Sequence, residues 1–413
     1  MHYGIIAPPV SGHIHPFGAL GRELIARGHR VTMLQMEDVR PRATAERLEF
    51  AAIGQSDHPA GSLDRSLAQL GKLRGLGALR FTIEAVRRTT EMICRDAPAV
   101  VRACGIDRLL VDQTEPAGGS VADCLKIPFV TVCNALALNR EPNVPPPFTG
   151  WGYCRSAWAR ARNSLGYAIY DRFMSPVMQV LGVWRKRWGL VPLRNSADSF
   201  SVLAQISQMT RGFDFPRDEL PPCFAYTGPL RGTELRPVPF PWEKLDGRPL
   251  IYASLGTLQH AKHEIFRCFA EACAPLDVQL VIAHNGGLDR AEVAELPGRP
   301  VAVNFAPQRE IMGRASLTLT HAGLNTVLDS LAAGTPMIAM PIAYEQPAIA
   351  ARVKASGAGI SISPSRLTVG SLRNGIRQIL QESSYRDCAR CVAEEIRAAG
   401  GSRKAASVIE AIA

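Results

Sequence analysis

Along most of the chain, short apolar runs alternate with stretches whose apolar residues recur at helical period. YGIIAP, Tyr3 to Pro8, reads as a short strand, and Phe17, Leu20, Leu24 and Ile25 then follow at helical spacing until Gly28, a helix stop. RVTMLQ predicts a second strand, and DRLLVD, a helix from about Pro116 to Leu125, and PFVTVC repeat the pattern. From Gly228 to Pro249 the alternation gives way to GPLRGTELRPVPFPWEKLDGRP, a segment dense in proline, glycine and charge. It restarts with PLIYASLG, a helix from near His263 to Cys273, VQLVIAH, PVAVNFAP, ASLTLTHAG, a helix to Leu331, and TPMIAMP.

Apolar strands separated by helices build parallel sheets, so the expected class is α/β with two Rossmann-like domains. Their expected bounds are 1–230 and 249–413, joined by a linker at 231–248, with the last helix free to return to the first domain. A chain of 413 residues is too long for one core of ordinary size, which agrees with two domains. Ligands of open parallel sheets sit beyond the carboxyl ends of the strands, so two facing sheets place their site in the cleft between them.

Composition removes several classes of function. No apolar run reaches the roughly eighteen residues of a spanning helix, and MHYGIIAPPVSGHIHP lacks the basic start of a signal peptide, so a cytoplasmic location is expected. Ten scattered cysteines fit a reducing compartment, and the pair Cys388 and Cys391 has no second pair to complete a zinc site; no metal or cofactor is expected. The net charge of +10 permits anionic partners, but no aromatic-studded basic motif resembles a nucleic-acid reader, and none is expected as a partner.

The segment from Phe305 to Gln346, FAPQREIMGRASLTLTHAGLNTVLDSLAAGTPMIAMPIAYEQ, concentrates the chemistry. THAGLNTVLD is a strand end, a glycine turn and a helix start, which together point backbone amides and a positive dipole end into the cleft, an arrangement suited to anions. Any parallel-sheet protein has such turns, and an aromatic such as Phe305, viewed singly, is more often in a core than a stacking platform. The spaced set of PQ after an aromatic, HAGLNT, GTP and EQ resembles the nucleotide-sugar signature of family 1 glycosyltransferases of the GT-B fold.

That resemblance implies a donor site. His321 and Gly323 with Asn325 and Thr326 would hold the diphosphate, Asp329 the ribose in place of the usual glutamate, and Phe305 the uracil in place of tryptophan. Gln308 would contact the ribose, and Glu345 with Gln346 the sugar hydroxyls, with glutamate for aspartate. SLGT would add Ser254, Gly256 and Thr257 as a second phosphate contact.

On the first domain, GHIHP lies between the first strand and the first helix and resembles the family's GHxxP loop, which makes His13 the base; His15 is a weaker candidate. Asp112, at the end of DRLLVD, would orient it, or else cap the helix near Pro116. The implied reaction is inverting transfer of a hexose, glucose from UDP-glucose, to a hydroxyl of an apolar acceptor; the UDP-sugar is a co-substrate.

VDQTEPAGG, LNREPNVPPP, LAQISQ, DFPR and ASLGTLQ further resemble the bacterial zeaxanthin glucosyltransferases, which implies a hydroxylated carotenoid as acceptor. Other lipophilic aglycones, a sugar-nucleotide 2-epimerase and a non-catalytic accessory subunit are the alternatives. From Trp151 to Trp188 the chain holds four of its five tryptophans among arginines, a composition for peripheral membrane contact or for two helices covering the domain.

Overall fold

A computed structural model describes residues 1–73, 75–232, 237–256 and 263–412. Among them, seven parallel strands form the first sheet: β1 His2–Ile6, β2 Arg30–Gln35, β3 Glu49–Ala52, β4 Arg108–Asp112, β5 Phe129–Cys133, β6 Gln205–Ser207 and β7 Phe224–Tyr226, in the order β3-β2-β1-β4-β5-β6-β7. Six more form the second: β8 Leu250–Ser254, β9 Gln279–Ala283, β10 Val301–Val303, β11 Ala315–Thr320, β12 Met337–Ala339 and β13 Gly359–Ser361, ordered β10-β9-β8-β11-β12-β13. Each order reverses direction once, between β1 and β4 and between β8 and β11. Helices after these neighbouring strands leave to opposite faces, which opens a crevice at their carboxyl ends.

β1 and β8 are buried at every position, as strands covered on both faces must be. The first helix, Ser11–Ala26, buries Ile14, Phe17, Leu20 and Leu24 against the first sheet, whereas Ile25 is exposed at its rim, one position off the buried face. Gly28 takes φ +87 two residues beyond the helix, where the chain reverses into β2. Burying each large apolar side chain of this face contributes about 1.5–3 kcal/mol.

The proline-rich segment is packed over part of its length: Phe240, Trp242 and Leu245 cover the second sheet beside Tyr252 and Ile311. At the other end, helix Ser383–Ala399 stops at Gly400, whose φ of +89 turns the chain back toward the first domain. The last helix, Gly401–Glu410, then buries Ala405, Ala406 and Ile409 in the first core, and its Glu410 accepts from Arg27 and pairs with His29.

The domains also meet through packed side chains and a buried charge cluster. Leu136, Met209 and Phe213 of the first pack among Leu324, Val327 and Ile349 of the second. Beside them, Asp214 accepts from Arg352 Nε at 2.8 Å, from Arg217 Nε at 3.0 Å and from Tyr226 Oη at 2.9 Å. The Asp214, Arg217 and Arg352 side chains are at most 2% exposed.

Candidate active site

Both switch points open into one cleft of about 1640 Å³, lined from the first domain by His13, Glu115 and Asn134 and from the second by Ser254, Phe305, His321, Asn325 and Glu345. That exceeds the roughly 300–1,000 Å³ of most small-molecule pockets and suits two substrates together.

His13 lies one step away from its expected place: the helix begins at Ser11, so the histidine sits in the first helical turn, its amide bonded to Val10 O, rather than in a loop. Pro16 within that helix has no N–H for the carbonyl four residues back, that of Gly12. The freed Gly12 oxygen instead accepts from Asn325 Nδ2 of the second domain at 2.7 Å. A proline in the first helix thus leaves an acceptor that ties the first turns of two helices, one from each domain, together.

His13 Nδ1 lies 2.7 Å from Asp112 Oδ2. Asp112 is fully buried, and its carboxylate also accepts from Asn134 Nδ2 at 3.0 Å and from Thr114 N and Oγ1 at 2.9 and 2.6 Å. It does not cap the following helix, Pro116–Leu125, whose N-cap is Glu115 without a side-chain bond; the carboxylate closes a turn onto Thr114 instead. Burial would lower the pKa of His13, but the charge and hydrogen bond of Asp112 outweigh it and raise it above the usual imidazole range. Burial would raise Asp112, and the facing imidazole with the Thr114 donors lowers it instead. A fixed carboxylate on Nδ1 leaves Nε2 as the nitrogen able to take a proton.

His15 has its own carboxylate partner, Glu46, at 2.8 Å, which also takes Arg22. Its side chain is 59% exposed, against 20% for His13, so it shares neither the burial nor the Asp112 contact.

On the second domain, helix Leu324–Ala332 starts after Gly323, an N-cap with no side chain to occupy the first amides, and Ala322 before it takes a left-handed φ of +66. The His321 ring is wedged between two glycines: a Cβ on Gly256 would lie 2.6 Å from its Cε1, and one on Gly323 2.5 Å from its Nε2. Burial drives its pKa down to about 4, against a weaker opposing hydrogen bond to the Ser254 backbone, so the ring is neutral, with Nδ1 buried and lacking a hydrogen-bond partner. Ser254 Oγ accepts from Gly256 N at 3.3 Å; Thr257 lies outside the described residues.

Asn325 and Thr326 occupy the first turn of that helix and Asp329 the second. Asp329 Oδ2 accepts from Gln308 Nε2 at 2.7 Å and Oδ1 from Arg231 Nε at 2.8 Å. Arg231 also donates to the backbone and side-chain oxygens of Asn325, at 3.1 and 3.2 Å. Phe305 is 63% exposed at the cleft and is not a core aromatic. Glu345 precedes helix Gln346–Ala355, and Gln346 Oε1 accepts from the amides of Ile342 and Ala343, which shapes the loop carrying Glu345.

Sequence reasoning missed Arg231, Asn134 and Glu115. Asn134 directly follows β5 and was reachable by the strand-end rule that singles out Asp112. Arg231 falls in the segment read as linker, where nothing local marks a site residue. Cys388 and Cys391 lie on helix Ser383–Ala399, and among the described residues no three His, Cys, Asp or Glu side chains form a group able to hold a metal ion.

A family model described as UDP-glucoronosyl and UDP-glucosyl transferase matches residues 192–394. The chain is 37% identical over 415 residues to the zeaxanthin glucosyltransferase of Pantoea ananas, covering 100% of this chain and 96% of the relative. It is 36% identical to the zeaxanthin glucosyltransferase of Pseudescherichia vulneris, covering 99% and 97%. The fold matches the crystal structure of the calicheamicin glycosyltransferase with a TM-score of 0.78 at 24% identity, covering 100% and 97%. The chain belongs to the UDP-glucoronosyl and UDP-glucosyl transferase family and is a glycosyltransferase with the GT-B fold.

Proposed function

We propose that the protein transfers glucose from UDP-glucose, with inversion, to a ring hydroxyl of a hydroxylated carotenoid such as zeaxanthin. The observation that carries the reading is the pair of His13 with the buried Asp112 facing, across one cleft, a glycine-capped helix end tied to it through the Gly12–Asn325 bond. The hydroxyl gives its proton to His13 Nε2 as its oxygen attacks the anomeric carbon, and the bond to the diphosphate breaks with its electron pair leaving on the phosphate oxygen. Amides at the start of helix Leu324–Ala332 and the neutral His321 stabilise the departing charge, and Asp329, held by Gln308 and Arg231, meets the ribose. Phe305 offers an open ring face for the base, while Glu345 and Gln346 hold the sugar. The two relatives named for zeaxanthin, and Leu63, Leu67, Phe81, Leu136 and Phe148 along the cleft, support an apolar acceptor.

Incubation with UDP-sugars and either zeaxanthin, a flavonoid or a macrolide, followed by UDP release and product mass, tests this. A glucosylated carotenoid is expected; an isomerised donor, or nucleotide binding without turnover, would replace the reading by an epimerase or an accessory subunit.

The same reading brings the protein to a membrane surface, where such an acceptor dissolves. Residues 157–187 form one helix rather than two, and of the four tryptophans Trp184 and Trp188 pack against the first core while Trp151 lies against Arg162. Trp158, Leu165, Ile169 and Phe173, 39–70% exposed, follow at helical spacing along one face. Arg160, Arg172, Lys186 and Arg187 are exposed on the same helix, and its acid, Asp171, is paired with Arg140. Tyr170 and Met174 of this helix line the cleft, so the exposed face and the acceptor half are continuous. No described helix is long and apolar enough to cross a membrane. Flotation with anionic liposomes is expected, and loss of it with neutral ones; absence from both would remove membrane docking.

A further inference from the structure

Glu115 stands at the inner end of the acceptor half with no role in the base pair or the donor cradle. It is 3% exposed, lines the cleft, and its Oε2 is buried without a hydrogen-bond partner. Its backbone is fixed on both sides, by Glu115 N to Asp112 O at 2.9 Å and by Gly118 N to Glu115 O at 3.0 Å, within the turn that carries Asp112. A buried carboxyl with an unpaired oxygen, on a residue that lines a substrate cleft, is placed to take a partner from the substrate.

We infer that Glu115 holds the acceptor's reacting hydroxyl against His13, its carboxyl donating one hydrogen bond to the hydroxyl oxygen while the hydroxyl's own proton faces the imidazole. This rests on the reading of the cleft as an acceptor site. A hydroxyl oxygen has two lone pairs and one proton. One pair accepts from Glu115, the proton goes to His13 Nε2, and the other pair forms the bond to the anomeric carbon as the diphosphate leaves. Glu115 keeps its proton throughout. An acceptor lacking the hydroxyl would strand both the carboxyl and the imidazole, so the site selects apolar molecules that carry one over those that do not.

The carboxyl has to be neutral for this, and its surroundings keep it so. Burial, with the negative charge of Asp112, pushes Glu115 up to about 8, against a smaller pull from His13. The charged groups facing it are Asp112 on its own loop and His13 on the first helix; Glu345 of the second domain acts on the same imidazole. Above that pH an unpaired anion would face the apolar acceptor.

The test is the pH dependence of kcat/KM for zeaxanthin in the full chain and in Glu115→Gln and Glu115→Ala, with the KM of UDP-glucose measured alongside. The native chain is expected to lose activity on an alkaline limb near pH 8 that Glu115→Gln lacks, because an amide does not ionise. Glu115→Ala is expected to raise the acceptor KM at least tenfold with the donor KM unchanged. An alkaline limb that persists in Glu115→Gln, or acceptor and donor KM that move together, overturns the assignment; should the alanine variant fail to fold, the glutamine profile decides. A native chain that glucosylates no hydroxylated apolar acceptor overturns the functional reading instead, and this assignment with it.

Discussion

Replacing His13 by alanine is expected to lower sugar transfer by about 10²–10⁴ while UDP binds as before, because a positioned base acts on the acceptor proton and not on the nucleotide. Turnover set against calorimetric UDP affinity checks both halves, and unchanged turnover would move the base elsewhere, with His15 next in line. The pH profile gives the sign. In the proposed mechanism the neutral imidazole is the working form, and Asp112 outweighs burial to hold the His13 pKa above the usual value. Transfer therefore falls as pH drops through that raised value. Asp112→Asn withdraws the charge, so the acid limb moves to lower pH while the rate falls through loss of the fixed tautomer.

Asp214→Ala is expected to destabilise the protein by about 3–5 kcal/mol, the usual cost of leaving a buried charge without its partner. Here one carboxylate serves Arg217 of its own domain and Arg352 of the other, both almost wholly buried. Arg352 lies on the helix whose first residue is Gln346, so the variant also loosens the loop that presents Glu345 to the cleft. Denaturant unfolding and acceptor kinetics on the same variant measure the two effects. Burial acts to raise Asp214, yet the two guanidinium groups bring it down to about 2. A depressed carboxylate contributes stability that is fully present above its unfolded value, about 4, and is lost as pH falls toward 2. The native chain should thus lose stability across that window, and Asp214→Ala should lack this component. A variant as stable as the native chain would show that the cluster does not hold the domains together.

Much of this architecture is legible locally. A buried parallel strand announces itself by a short apolar run, and a glycine turn into a helix, as in THAGLN, marks where that strand ends; the roles expected of Gly12 to Pro16, Asp112 and His321 to Asp329 came from the family resemblance of the motifs at those strand ends. What stayed hidden depends on partners distant in sequence. Asn325 and Gly12 are 313 residues apart, and only the assembled cleft shows that Pro16 frees the carbonyl Asn325 uses. Asp214 and Arg352 are 138 apart, and DFPR, noted only for its resemblance, gives no sign of that partner. Between Trp151 and Trp188, composition left open a membrane face or helices covering the domain, because the phase of the long helix, which composition does not give, decides that Trp158 meets solvent while Trp184 packs inward. His13 was placed in a loop because the apolar residues at helical spacing start only at Phe17 and GHIHP resembles a loop motif, whereas here the helix begins at Ser11, runs through Pro16 and leaves one carbonyl for another domain.

The most direct measurement is the anomeric configuration of the product formed from α-linked UDP-glucose and a hydroxylated carotenoid, read from the proton coupling at the anomeric carbon. Attack by an oxygen held at His13, from the side opposite a diphosphate held at the start of helix Leu324–Ala332, gives the β-glycoside alone. An α-glycoside, or a mixture, would contradict it.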